Sequence, residues 1–170
     1  MHENPRFNVV REQRNFHGVS NDYYYVEKPS AVIVLVSVED SILFLEVERV
    51  NQDGIKLELP GGRIENNESP VEAARRELFE ETGIEANDLS SLAKTKPLPS
   101  VTTETVYAFH LSLKKLPSIF DESGNIHEGI KGWRLVNLRD IAGLCLTGSI
   151  GCSVDGFFSL LLEKSLERKL

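Results

Sequence analysis

Runs of apolar residues predict a strand-rich first half of the chain. Residues 31–38 are continuously apolar, as in a central strand that is buried on both faces, and residues 41–49 form a second buried strand. Residues 7–14 and 23–26 predict a short hairpin that turns around residues 18–21. Further strands are predicted at 56–59, 105–113 and 132–136.

One segment combines a helical period with signals for both helix ends. Ser69-Pro70-Val71-Glu72 is a capping box with proline at the first helical position, where its missing N–H costs nothing. Gly83 supplies the C-terminal stop. The spacing therefore predicts a helix from Pro70 to Gly83, with a buried stripe made of Val71, Ala74 and Leu78.

Two more helices are predicted near the end of the chain. Residues 138–142 begin like a short helix, and residues 154–168 predict an amphipathic closing helix. The apolar positions of the closing helix are Phe157, Leu160, Leu161 and Leu166. We expect these side chains to face the core.

Three carboxylates lie on adjoining positions of the predicted helix 70–83. At about 100° per residue, Glu77 and Glu81 lie roughly 40° apart beside the buried stripe, and Glu80 follows about 60° further round. Arg76 precedes Glu80 by one turn, where an i,i+4 ion pair can form. Because clustered anions repel one another, we expect a compensating cation, and Mg²⁺ prefers oxygen ligands of this kind. The alternative for such a Glu-rich stretch is an ordinary solvated helix face.

The spacing of residues 62–84 disfavours that alternative. If each residue type has a frequency of about 1 in 14, the chance that all seven matching identities occur is on the order of 10⁻⁸ per start position. The seven identities are Gly62, Glu68, Arg76, Glu77, Glu80, Glu81 and Gly83. The segment resembles the signature box of the Nudix hydrolases, G-x5-E-x7-R-E-U-x-E-E-x-G-U, in which U is an aliphatic residue.

The resemblance implies a fold, a chemistry and a set of roles. The fold is an α/β/α sandwich with a mixed central sheet, in which the box forms a loop, a helix and a loop. The chemistry is hydrolysis of a nucleoside diphosphate linked to another group X. Arg76 and Glu68 would organise the loop. Mg²⁺, or Mn²⁺ as a substitute, would be bound by Glu77, Glu80, Glu81 and the backbone carbonyl of Gly61.

The flanks of the box resemble the ADP-ribose pyrophosphatase branch of that family. In this branch an N-terminal β-hairpin, here about residues 1–28, precedes the core and helps to form a homodimer. The likeness favours ADP-ribose or a related nucleoside diphosphate sugar, which would give AMP and a sugar phosphate. One alternative is a nucleoside triphosphate that releases pyrophosphate. A non-catalytic nucleotide sensor is disfavoured, because its box would be expected to degenerate.

Several residues outside the box are candidates for catalysis. A carboxylate should accept the proton of the attacking water. In the resembling branch a glutamate of the loop 121–128 has this role, which gives Glu128 first and Glu122 second. The alternative for both is a solvated loop position. Glu104 is a further candidate and could instead contact the substrate.

Other residues are candidates for substrate binding. Arg49, at the end of a buried strand, could bind phosphate through two hydrogen bonds, or form a surface ion pair with Glu48 or Asp53. Phe16, in the hairpin, could stack on adenine, or be merely exposed or packed in the core. Pro99 lies in a segment, residues 97–100, that resembles the proline-containing substrate loop of the branch.

Length and composition agree with one soluble domain over residues 1–170. The net charge of −7 and the absence of a basic run argue against binding of a nucleic-acid duplex. The longest strongly apolar run is too short to span a membrane. Cys145 and Cys152 are expected to be reduced thiols, and we expect the protein to be cytoplasmic.

Overall fold

The computed structural model describes residues 7–117 and 129–167, and side chains as far as residue 164. A 3₁₀ turn at Leu138–Asp140 leads into the second helix. The strands are β1 Asn8–Phe16, β2 Val19–Glu27, β3 Ala31–Val38, β4 Ser41–Glu48, β5 Ile55–Glu58, β6 Gly61–Arg63, β7 Ser90–Thr95, β8 Val106–Leu113 and β9 Ile130–Asn137. The helices are α1 Pro70–Thr82, α2 Ile141–Leu146 and α3 Ser153–Glu167.

The main sheet is mixed, as the family resemblance implies. Its strands follow the order β5-β4-β3-β8-β7, while β6 pairs with β3 and β9 pairs with β4. Strands β3 and β8 run parallel, and the other pairs in this sheet are antiparallel. Strands β1 and β2 form a separate two-stranded sheet.

Strand β3 is buried on both faces because helices cover both sides of the sheet. Successive side chains of a strand point to opposite faces. Val32 and Val34 pack with Leu78 of α1, whereas Leu35 packs with Phe158 of α3. The architecture is therefore an α/β/α sandwich, and this prediction is confirmed. No helix in the described ranges is long and apolar enough to cross a bilayer.

The N-terminal hairpin is longer and turns earlier than the sequence pattern predicts. Strands β1 and β2 pair from Asn8↔Glu27 to Phe16↔Val19, which leaves His17 and Gly18 as the two turn residues. Both have positive φ, 53° and 83°. Such two-residue turns match the twist of the flanking strands. The predicted turn at residues 18–21 is wrong, because residues 19–21 already belong to β2.

Two short strands were not predicted from the pattern of apolar residues. Residues 61–63, expected to be part of a glycine turn, form β6 and pair with Ala31 to Ile33. Strand β7, Ser-Ser-Leu-Ala-Lys-Thr, has few apolar residues and pairs only with β8 at the edge of the sheet. Edge strands often carry polar or charged side chains, which discourage the unpaired backbone edge from pairing with another chain.

The buried face of α3 agrees only in part with the predicted one, because Leu160 packs against the core as expected but two other predicted positions do not. Phe158 and Leu162 are buried, whereas Phe157 and Leu161 are 55% and 42% exposed. The helix has two apolar stripes, and the buried stripe also contains the polar residues Asp155 and Ser159. Polar positions on that stripe lowered its apparent hydrophobicity, so the pattern missed Phe158 and Leu162 and selected Phe157 and Leu161 instead.

Candidate active site

The capping signals of α1 act as the sequence predicts. The N–H of Glu72 donates to Ser69 Oγ at 3.4 Å, and the N–H of Ser69 donates to Glu72 Oε2 at 2.8 Å. At the other end Gly83 adopts a left-handed conformation with φ 70°, and its N–H donates to the carbonyl of Phe79. These local bonds fix where the helix begins and ends, and therefore the height of its carboxylates above the sheet.

The glycine turn, which we define as residues 59–62 where the chain crosses from β5 into β6, passes directly over two glutamates of α1. The N–H of Gly61 donates to Glu81 Oε2 at 2.8 Å. A Cβ at Gly62 would lie 2.4 Å from the Glu77 carboxylate, and a Cβ at Gly61 would lie 2.2 Å from the carbonyl oxygen of Val32. The two glycines thus allow the main chain to approach the acids and β3 together.

Arg76 connects three carboxylates and one carbonyl. Its guanidinium makes two bonds of 2.9 Å to Glu68. It also donates to Glu77 at 2.9 Å, to Glu80 at 3.1 Å and to the carbonyl of Arg63 at 2.9 Å. Arg76 therefore ties the loop after β6 to the acidic face of α1, and the expected contact with Glu80 is present.

The bonds of Arg76 favour the charged forms of the groups that they join. The paired guanidinium lowers the pKa of Glu68 below its usual value, and the bonds to the carboxylates raise the pKa of Arg76. Three carboxylates share one guanidinium, so the cluster carries net negative charge. Glu77 and Glu81 are only 8% exposed, whereas the side chain of Glu80 is 48% exposed. Glu80 is therefore the exposed carboxylate of the cluster, and Glu77 and Glu81 are its buried carboxylates.

The carboxylates of α1 suit a hard divalent cation, although they do not form a complete set of metal ligands in their present positions. In residues 7–117 and 129–167, no three His, Cys, Asp or Glu side chains are grouped so as to hold a metal. Arg76 contacts Glu77 and Glu80 together, and the Gly61 amide holds Glu81. Carboxylate oxygens are the ligands that Mg²⁺ prefers. The chemistry fits, and carboxylates would have to leave some of these bonds to bind the ion.

Arg49 follows β4 and is paired with Glu58 at the end of β5. Arg49 Nη2 lies 2.7 Å from Glu58 Oε2, and its Nε donates to both carboxylate oxygens at 3.2 and 3.3 Å. Glu48, one of the two partners considered from the sequence, forms its ion pair with Lys131 instead. Arg49 is thus oriented by a carboxylate of the neighbouring strand.

Glu104 and Pro99 belong to a segment that is bonded to the N-terminal hairpin. Glu104 lies 2.6 Å from Lys28 Nζ, and its side chain is 15% exposed. Backbone bonds join Val26 of β2 to residues 101 and 103. Phe16 lies at the tip of the hairpin, 53% exposed and in edge-to-face contact with Tyr23. The core-packed alternative for Phe16 is therefore wrong.

The remaining candidates from the sequence cannot be located. Glu122 and Glu128 fall within residues 118–128, outside the described residues.

Cys145 and Cys152 are free thiols, as expected, and burial raises the pKa of both.

Two acidic residues near the glycine turn were not selected from the sequence. Glu58 holds Arg49, and Asp155 of α3 accepts a hydrogen bond of 3.0 Å from the N–H of Leu59. The Leu-Glu-Leu-Pro pattern placed Glu58 next to the turn, which was a usable signal. Asp155 lies 96 residues from Leu59, and nothing local indicates that contact.

Comparison with known proteins identifies the family of this chain. The NUDIX domain model matches residues 27–148, more than half of the chain. The chain belongs to the Nudix family. Enzymes of this family generally use divalent metals.

Relatives with related printed activities cover parts of the chain. The ADP-ribose pyrophosphatase of Bacillus subtilis (strain 168) is 33% identical over 104 residues, 61% of this chain and 55% of that protein. The ADP compounds hydrolase NudE of Escherichia coli (strain K12) is 39% identical over 70 residues, 41% of this chain and 38% of that protein. The matched segments thus span about half, or less, of the length of these relatives.

A solved structure matches nearly the whole fold. The crystal structure of an ADP compounds hydrolase superposes with a TM-score of 0.77 over 99% of this chain and 91% of that chain. The sequences are 23% identical, so this likeness concerns the fold. It includes the N-terminal hairpin region, because the coverage extends over almost all of the chain.

Proposed function

We propose that this protein hydrolyses the pyrophosphate bond of a nucleoside diphosphate linked to another group, with ADP-ribose or a related nucleoside diphosphate sugar as substrate. The products would be AMP, or another nucleoside monophosphate, and a sugar phosphate. The observation that carries the proposal is the acidic cluster on α1, placed under the turn of Gly61 and Gly62 and organised by Arg76. The names of the relatives support the choice of substrate class.

The acidic cluster would hold Mg²⁺, with Mn²⁺ as a possible substitute. Glu77, Glu80 and Glu81 supply carboxylate oxygens, and Gly61 supplies a backbone carbonyl. When bound, a divalent ion offsets the charge of the diphosphate and lowers the pKa of a coordinated water. Clustered carboxylates would otherwise repel an anionic substrate, so binding of the substrate depends on this compensation.

The chain's own residues would then orient and protect the reacting groups. Burial of Glu77 and Glu81 limits their motion, and the bond from Arg76 restrains the more exposed Glu80. Rigid positioning of this kind contributes to catalysis because the reacting groups need not be ordered during the reaction. The proton of the attacking water would pass to a carboxylate outside the box, with Glu128, Glu122 and Glu104 as candidates.

Substrate contacts are proposed at three places outside the box. Arg49 would bind phosphate, and its pairing with Glu58 already holds the guanidinium in a fixed orientation. Phe16 offers an exposed ring on which a base could stack. Pro99 and Glu104 would border the substrate on the segment that is joined to β2.

We also propose that the protein is a homodimer that uses the β1–β2 hairpin. The hairpin forms its own two-stranded sheet. One of its faces carries Phe16, Val19 and Tyr23 near the tip, and these are 53%, 60% and 46% exposed. An exposed apolar patch of this kind favours contact with another protein surface.

Product analysis tests the proposed reaction. The full chain would be incubated with Mg²⁺ and a panel of nucleoside diphosphate sugars and nucleoside triphosphates, and the phosphorus-containing products would be identified by ³¹P NMR. We expect phosphomonoesters from ADP-ribose or a related sugar, namely AMP and a sugar phosphate. Release of pyrophosphate from the triphosphates alone would establish the alternative reaction. Absence of turnover on every compound would contradict a hydrolytic role.

A further inference from the structure

The chain changes strand partner immediately before the glycine turn. Strand β5 pairs with β4, and its last paired residue is Glu58, opposite Leu45. Strand β6 pairs with β3 from Gly61 onwards. Leu59 and Pro60 therefore lie between two ladders, and the N–H of Leu59 is outside both. A buried N–H needs a partner, since leaving it unpaired costs free energy comparable to a lost hydrogen bond.

Asp155 supplies that partner from α3, which covers the face of the sheet opposite to α1. Its Oδ2 accepts the N–H of Leu59 at 3.0 Å, in a buried hydrogen bond, and Asp155 is only 4% exposed. Two residues later Glu81 of α1 accepts the N–H of Gly61 at 2.8 Å. Between them the carbonyl of Pro60 accepts the N–H of Val34 at 2.8 Å. One carboxylate from each helix layer thus holds the turn, with the central strand between them.

We propose that Asp155 is a positioning residue of the active site, which fixes residues 59–62 against α1 through its bond to Leu59. This inference deepens the proposed function and rests on it for its catalytic consequence. Gly61 and Gly62 lie very close to β3 and to Glu77, since an added Cβ would lie 2.2 Å from the carbonyl oxygen of Val32 or 2.4 Å from the Glu77 carboxylate. A small displacement of Leu59 is therefore transmitted to the turn above Glu77 and Glu81.

The test compares three variants of the full chain with the wild type. Asp155→Ala removes the acceptor, whereas Asp155→Asn keeps an amide oxygen at the same place. Ser159→Ala is the matched control, because Ser159 lies one turn further along α3, is fully buried, and makes no hydrogen bond through its hydroxyl among the described residues. Three quantities are measured: hydrogen exchange of residues 57–63 without metal, Mn²⁺ affinity by calorimetry, and kcat and KM with ADP-ribose.

We expect Asp155→Ala to speed exchange of the Leu59 and Gly61 amides at least about 10-fold and to weaken Mn²⁺ binding about 10-fold, relative to Ser159→Ala. It should lower kcat more than it raises KM, because the hydrogen bond of Asp155 goes to Leu59, beside the turn above the acids, and not to a proposed substrate contact. Asp155→Asn should restore protection of Leu59 and Mn²⁺ affinity. Equal exchange and equal affinity in Asp155→Ala and Ser159→Ala would overturn the proposal.

The design separates this inference from the proposed function. If Asp155→Ala does not fold, Asp155→Asn still tests the positioning role. A protected Leu59 amide together with lost Mn²⁺ affinity would show that the charge of Asp155, and not its hydrogen bond to Leu59, supports metal binding. If the wild type hydrolyses no substrate, the proposed function fails, while hydrogen exchange still tests the role of Asp155. If the wild type is active but Asp155→Ala behaves like the control, only the positioning role fails.

Discussion

At Gly61 and Gly62 the main chain lies too close to its neighbours to accept a methyl group, but the neighbours differ. Gly61→Ala would meet the backbone of β3, which cannot move, so we expect a loss of about 1–3 kcal/mol in the free energy of unfolding. Gly62→Ala would meet the mobile end of Glu77, so we expect a smaller loss of stability and a fall of about 10–100-fold in activity.

Urea unfolding and steady-state kinetics on both glycine variants distinguish these effects. Gly54→Ala is the control for Gly61→Ala, because φ is positive at both positions, 69° and 157°, but a Cβ at Gly54 would meet nothing within 4 Å, so its cost is backbone strain alone. A Gly62→Ala variant with wild-type turnover would contradict the account of Glu77, since that carboxylate would then be free to move without consequence.

Asp155 should make stability depend on pH. Burial raises its pKa from 3.8 to about 7; the charge of Glu58 adds to the shift, whereas Arg49 and the bonds with Leu59 and Cys152 oppose it. A folded-state pKa above the unfolded value means that the stabilisation is complete below about pH 4 and is lost as the pH rises to about 7.

Asp155→Asn removes this titration and provides the comparison. Between about pH 4 and pH 7 the free energy of unfolding of the wild type should fall relative to that of Asp155→Asn, by about 1 kcal/mol or more. Urea unfolding at several pH values measures both. Parallel curves for the two proteins would show that Asp155 ionises in the folded chain as it does in the unfolded chain.

At the scale of elements, Arg76 joins the loop after β6 to α1. Arg76→Met would leave Glu68 and Glu77 without their guanidinium while both are largely shielded from water. We expect a loss of about 2 kcal/mol, below the value for a fully buried pair because Arg76 is itself 25% exposed. Arg75→Met is the control, since the exposed Arg75 bonds only to the carbonyl of Asn87 in the described contacts, and it should change stability by less than about 0.5 kcal/mol.

Thermal or urea unfolding of these two arginine variants checks the difference. Equal stability of Arg76→Met and Arg75→Met would mean that the three ion pairs of Arg76 contribute no more than one exposed bond. The comparison is matched in side-chain length, helix propensity and distance from the helix ends, so it isolates the contacts of Arg76.

The elements that could be predicted are those with local signals. Helix α1 has its cap, its apolar period and its stop within residues 69–83. The cap and the stop agree with the structure, and of the predicted stripe Ala74 and Leu78 are buried while Val71 is partly buried. Strand β7 lacks such a signal because most of its residues are polar, as is common in edge strands. The buried face of α3 was predicted only in part, with Leu160 but without Phe158 and Leu162, because Asp155 and Ser159 lie among its buried positions.

At the scale of the whole molecule, the site combines one local segment with contacts that are distant in sequence. The acids of residues 77–81 could be predicted because one helix carries them. The bonds of Asp155 to Leu59 and of Lys28 to Glu104 join residues 96 and 76 positions apart, and they depend on how the sheet is assembled. Long-range pairs of this kind have no periodic signature in the sequence.

The hairpin gives a prediction at the same scale. Phe16→Glu introduces a charge into the exposed patch of Phe16, Val19 and Tyr23, so we expect it to shift the proposed dimer towards monomer. Gln13→Glu, also exposed but on the opposite face of the hairpin, is the control and should leave the dimer unchanged. Sedimentation equilibrium over a range of concentrations measures the mass. A wild type that is monomeric at all concentrations would refute the dimer.

Turnover of ADP-ribose by Glu81→Gln tests the central claim most directly. Glutamine has the shape of glutamate and can still accept the N–H of Gly61, but it lacks the charge needed to bind a divalent ion. With Mg²⁺ present, we predict that AMP release falls at least about 100-fold relative to the wild type, while Glu85→Gln, exposed just beyond α1, stays at the wild-type rate. Wild-type turnover by Glu81→Gln would contradict the role of these acids in holding the metal.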